Sequence, residues 1–141
     1  ATSFRVHFAT QINQLELRTR MEAKWIGLSE AGWLWYTELI FKVSSLPIKT
    51  SFRLQYFDTD SYSSRIYAYE RDLLYTSSLS AFYGKGWLGY ILWSARVGKR
   101  WQCWLKYAVV VKETSPLLLL GGLNNENQLV NQVSVQCLFS I

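Results

Sequence analysis

Residues Leu15–Trp25 read LELRTRMEAKW, and the stretch repeats with a period of two. Glu16, Arg18, Arg20, Glu22 and Lys24 are charged, while Leu15, Leu17, Thr19, Met21, Ala23 and Trp25 are apolar or nearly so. Side chains on a strand point alternately to opposite faces, so this spacing predicts a β-strand with one charged and one oily face.

The same alternation recurs outward from there. Phe4, Val6, Phe8 and Ile12 oppose Arg5, His7 and Gln11; Trp33, Trp35, Thr37, Leu39, Phe41 and Val43 oppose Tyr36, Glu38 and Lys42. Ile48, Phe52, Leu54 and Tyr56 stand against Lys49, Ser51, Arg53 and Gln55. RIYAYERDLLY, Arg65–Tyr75, is read as the next strand, although Tyr67 and Tyr69 share a parity with Arg71. WLGYILWSARV, WQCWLKYAVVV and NQVSVQCLFSI supply the rest. No segment shows a helical period and hairpin-length connections dominate. Residues 1–141 therefore read as a single all-β domain, an antiparallel up-and-down β-barrel of about eight strands.

Composition bounds the surroundings. The chain has seven Trp, nine Tyr and seven Phe but only two Pro, a mixture that favours extended structure. Its longest apolar runs, such as Leu117–Leu120, are far short of the roughly 20 residues of a spanning helix. The formal charge of +5 is dispersed among apolar residues, so no nucleic-acid partner is expected. The N-terminal ATSFRVHF lacks the apolar core of a signal peptide, as expected of a mature product or of a piece of a longer chain.

Two-sided strands suit a soluble barrel that carries an apolar ligand, with the oily face inward, and a membrane barrel, with that face toward lipid. Strands of about 10 to 12 residues fit a tilted membrane crossing. Trp25, Trp33, Trp87, Trp101 and Tyr107 fall near the ends of oily faces, where a membrane barrel carries aromatic girdles. Glu16, Arg18, Arg20, Glu22, Lys24, Glu38 and Arg53 mix both signs closely, as a narrow lumen requires. The membrane barrel is thus the leading expectation, with outer-membrane lipid as its partner.

FDTDSYSSRIYAYERDLLY, Phe57–Tyr75, and FYGKG, Phe82–Gly86, resemble the C-terminal barrel region of the helix-hairpin-helix-bearing outer-membrane protein family of Bacteroides-type bacteria. Fainter likeness runs back through LELRTRMEAKW and GWLWYTELIF. The resemblance implies a bacterial outer-membrane location and no particular activity. The helix-hairpin-helix part is missing, so DNA binding is not implied, and LLLLGGLNNENQ is more apolar than its family counterpart. Family members are several times longer, so the chain reads equally as the last strands of a larger barrel, partnered by other strands or outer-membrane proteins. An even strand count would put both termini on the periplasmic side, with 98–100 and the FDTDSYS connection there and loops 76–86 and 112–127 outside.

No residue pattern argues for an enzyme, a cofactor or a metal. His7, the only histidine, lacks a surrounding Ser or Cys nucleophile pattern and reads as an ordinary lumen or surface residue. Asp58 and Asp60 lack the glycine and terminal glutamate of a calcium loop and suit turn formation. Glu70, Arg71 and Asp72 form a cluster expected to pair with Arg65 or Arg96. Gly84, Gly86 and Gly89 lack a strand-to-helix context and read as loop and packing glycines rather than a phosphate loop. If the last hairpin is symmetric, residues whose numbers sum to about 240 face each other, which makes Cys103 and Cys137 cross-strand neighbours. They could be a disulfide in an oxidising periplasm or two free thiols.

Overall fold

The computed structural model describes residues 1–27, 29–43, 47–73, 78–98, 100–113 and 128–139. The strands are β1 (Thr2–Ile12), β2 (Leu15–Ile26), β3 (Glu30–Lys42), β4 (Ile48–Thr59), β5 (Ile66–Glu70), β6 (Ser78–Phe82), β7 (Lys85–Val97), β8 (Trp101–Glu113) and β9 (Gln128–Phe139). Seven form one antiparallel sheet in the order β1-β2-β3-β4-β7-β8-β9, and β5 pairs only with β6. At the β1–β2 turn Asn13 takes a left-handed φ of 53°, which Asn tolerates better than most side chains.

The sequence reading made 65–75 a strand of the main sheet, and here the structure corrects it. Only five residues, Ile66–Glu70, are extended, too few for the 9 to 11 that a crossing strand needs. β4 pairs directly with β7, from Ile48↔Ala95 to Asp58↔Lys85, and the intervening segment leaves the sheet as a hairpin. Its base is clamped by Thr59 N–H donating to Gly84 O at 2.9 Å and Gly84 N–H donating to Thr59 Oγ1 at 2.8 Å. Part of the stretch read as loop 76–86 is strand β6; Thr76 and Ser77, like Leu117–Asn127, lie outside the described residues.

With seven strands in the sheet, β1 starts at one end and β9 finishes at the other, so the expectation of both termini on one side fails. The 13–14, 43–47 and 98–100 connections share the end where β9 finishes, here the far end. The hairpin segment and the β8–β9 connection leave the opposite, near end, so FDTDSYS lies with the longest connection and not against it.

The core lies between the sheet and the hairpin. Ile66, Ala68 and Phe82 of the hairpin pack with Leu34, Phe57, Leu88, Tyr90, Trp104 and Ala108 of the sheet, and the Phe57 and Phe82 rings meet at 5.2 Å. The hairpin touches side chains from β2 through β8, strands four spacings apart, or about 19 Å on a flat sheet. The two short strands span that width with the long side chains of Arg20 and Lys106 reaching in from either side.

Gly32 marks a close approach of β3 to the segment that follows β4. A Cβ there would lie 2.5 Å from Ser64 O and 2.9 Å from Thr59 Cγ2, whereas one on Gly89 would meet only Arg53 O at 3.8 Å. Gly32→Ala is expected to destabilise by about 1–3 kcal/mol through overpacking and Gly89→Ala to be near neutral, as read from denaturant midpoints.

Candidate functional site: the charged interior face

The burial pattern is inverted relative to a protein with an oily centre. Arg53 is 2% exposed, Glu38 1% and Gln55 0%, while Trp33, Phe52 and Leu54, alternating with them on the same strands, are 48%, 46% and 38% exposed. The pairing registers line up Val6, Met21, Trp35, Tyr56, Trp87 and Val111 on the exposed face, and the same holds for the rows beside this one. Trp25, Trp33 and Trp87 lie toward the near end of that face, with Trp33, Tyr56 and Trp87 in ring contact; Trp93, Trp101 and Phe139 lie toward the far end. Four of its polar groups form two pairs: Thr19 Oγ1 with Thr37 Oγ1 at 3.2 Å, and the Tyr107 hydroxyl donating to Asn131 Oδ1 at 3.3 Å.

On the inner face the cations of the sheet hold the backbone of the hairpin. Lys24 Nζ donates to Ser63 O and Arg65 O, both at 3.2 Å; Arg20 Nη2 to Tyr67 O at 3.2 Å; and Arg53 Nη1 to Tyr69 O at 2.7 Å. These acceptors fall at every second residue, 63 to 69, in β5 and in the residues leading into it. A short two-stranded ribbon is marginal alone, and capping its free carbonyls with charged donors fixes it to the sheet.

Around Arg53 the charges interlock. Glu38 accepts from the Tyr90 hydroxyl at 2.9 Å and pairs with Arg71 at 3.2 Å and Arg53 at 3.5 Å. The Arg53 guanidinium lies 4.1 Å from the Tyr36 ring centroid and 5.3 Å from that of Tyr90. Lys106 Nζ reaches Glu70 and Asp72 of the hairpin segment at 3.5 Å each. Gln55 is fully buried with neither amide atom hydrogen-bonded to protein. An unmatched buried amide costs about 1–3 kcal/mol, so Gln55→Leu is expected to raise the denaturant midpoint.

The sequence-derived residues fall on this face as follows. Glu16 pairs with Arg18, Glu22 with Arg5 and Arg20, and Glu38 with Arg53, whereas Lys24 binds carbonyls rather than an acid. Glu70, Arg71 and Asp72 do not meet Arg65 or Arg96; their partners are Lys106 and Glu38. The displaced hairpin is the reason, since it carries them across the inner face instead of along it. Tyr90 and Lys106 were missed because charge and aromaticity on an alternating strand do not reveal which groups meet across the sheet. His7 is exposed on edge strand β1; Asp58 accepts the Tyr56 hydroxyl at 3.2 Å and Asp60 the Ala31 N–H at 2.8 Å. Among the described residues no three His, Cys, Asp or Glu are grouped to hold a metal.

Cys103 and Cys137 are direct partners in the β8–β9 register, with no bond between them and Sγ atoms 2.6 Å apart on the outer face. Mild oxidation is expected to remove both thiols from titration with a thiol reagent without dimer formation. Intermolecular cross-linking as the main product would contradict this pairing.

Comparison with known protein families, with curated proteins and with solved structures finds no match for this chain.

Proposed function

We propose that this chain forms wall and plug of a bacterial outer-membrane β-barrel: the large sheet is a sector of the wall, its oily face against lipid, and the β5–β6 hairpin fills the lumen. The observation that carries the reading is the exposure of an apolar, aromatic-rimmed face over β1–β4 and β7–β9 while most charges turn inward, with Asp58, Lys85 and Glu113 on the oily face only at its near-end rim. A soluble carrier would keep its oily face around the ligand; here the hairpin occupies the opposite face. The likeness of Phe57–Tyr75 and FYGKG to the Bacteroides-type outer-membrane family supports the same reading.

Strand parity adds a requirement. In a seven-strand meander the first and last strands run in the same direction, so β1 and β9 could meet only as a parallel pair, while bacterial barrels are antiparallel and even-stranded. Unpaired edges cannot face lipid. An odd number of further strands, from the same polypeptide or a partner, closes the barrel. Those strands would also cover Tyr67, Tyr69 and Leu79 of the hairpin, 43%, 56% and 63% exposed. The short turns of the far end suit the periplasmic side and the longer near-end connections the outside. The role is scaffold, subunit or plugged channel, and we assign it no catalytic step.

Extraction with and without detergent, followed by far-UV circular dichroism, tests the reading. β structure is expected only with detergent or lipid; a stable, monodisperse β fold in plain buffer would overturn it.

A further inference from the structure

At the far-end mouth the inner face carries cations in excess of acids. Lys42 and Lys49 are direct cross-strand partners, and like charges placed so repel. Neither has a salt bridge among the described residues, nor does Arg96, whose backbone N–H is fixed by Pro47 O at 2.9 Å. Deeper on this face acids stand among the cations: Glu22 serves Arg5 and Arg20, Glu38 serves Arg53 and Arg71, and Glu70 and Asp72 serve Lys106. Glu16, on the strand beside Lys42, is held by Arg18. Arg100, at the turn before β8, adds a further cation at this end.

The cations surround space. A recess of about 300 Å³ is lined by Lys42, Lys49 and Arg96 with Ser94 and Gln102, and a second of about 190 Å³ shares Lys49 and Ser94 and reaches Arg71 and Asp72. Asp72 is the one carboxylate in this lining, and it already faces Lys106 at 3.5 Å. Amines, a guanidinium, a hydroxyl and a side-chain amide converging on a cavity of this size are donors in excess of acceptors. A multiply charged oxyanion is the complement of such a set.

We propose that this recess binds a phosphate group, held between Lys42 and Lys49 with Arg96 closing the outer side. Occupancy would turn a repelling pair into a bridged one and brace β3, β4 and β7 where they end. The site stands on the recess and not on the membrane reading, so it can be tested in whichever solvent the chain folds.

The experiment is calorimetric titration of the folded protein with inorganic phosphate, beside thermal unfolding with and without it. A dissociation constant of about 1 mM or tighter is expected, with a higher unfolding temperature in phosphate. Lys42→Gln with Lys49→Gln should weaken binding at least about tenfold and abolish the thermal shift. Since the double variant relieves repulsion, it should fold at least as well as the parent. A parent protein that binds no phosphate, or a variant that binds it equally well, overturns the site. Repeating the titration in vesicles separates the sources of the group. Lost phosphate binding with phosphatidylglycerol but not phosphatidylcholine would assign the recess to a lipid headgroup, and unchanged binding in both would assign it to a free phosphate compound.

Discussion

Leu54→Arg is expected to abolish or severely reduce insertion into lipid vesicles. Leu54 sits mid-strand on the outer face, flanked by Thr37 on β3 and Gly89 on β7, and is 38% exposed. In water, arginine at such a position changes stability by about 0.5 kcal/mol or less. Against the hydrocarbon midplane it costs about 2–4 kcal/mol, roughly a 30- to 1,000-fold change in the folding equilibrium. Urea titration of vesicle-inserted protein, followed by tryptophan emission, reads the difference. Leu17→Arg should behave in the same direction, and Arg18→Leu, on the inner face, should do far less harm to insertion.

Glu38→Ala is expected to cost about 3–5 kcal/mol, because it strands buried cations rather than merely deleting a contact. Glu38 and Arg53 are 1% and 2% exposed, and Glu38 also accepts the Tyr90 hydroxyl and faces Arg71. Adding Arg53→Leu should recover part of the loss, since the charge left without a partner is then gone as well. A double-mutant cycle by denaturant titration measures this. The hairpin should loosen along with the pair, because Arg53 also holds Tyr69 O at 2.7 Å, and protease cutting within 60–84 reports that. A cost of under about 1 kcal/mol would show the pair to be exposed to water in solution.

How far the sequence reads on its own differs between elements. β2, β3, β4, β7, β8 and β9 were legible because a strand covered by different surroundings on its two faces must alternate. The β8–β9 register followed from loop symmetry alone, with Cys103 opposite Cys137. The hairpin was not legible: Ile66, Ala68 and Glu70 alternate with Tyr67 and Tyr69 as a wall strand would, and periodicity does not say what a strand pairs with. The same limit hid the partners of the charges. Glu38 and Arg53 share a cross-strand position and could be matched once β3 and β4 were aligned, whereas Arg71 and Lys106 meet their partners only through the fold of the inserted segment. The cationic mouth was visible only as scattered basic residues until the register set Lys42 against Lys49.

Quenching of single tryptophans by brominated acyl chains addresses the orientation of the sheet directly. Of the seven tryptophans, Trp93 lies on the outer face, 37% exposed, and Trp104 on the inner face, 8% exposed. In vesicles, a variant keeping only Trp93 should be strongly quenched, and one keeping only Trp104 should emit as in unbrominated lipid. Equal quenching of the two, or none of Trp93 in protein shown to be folded, would contradict an oily face turned outward to lipid.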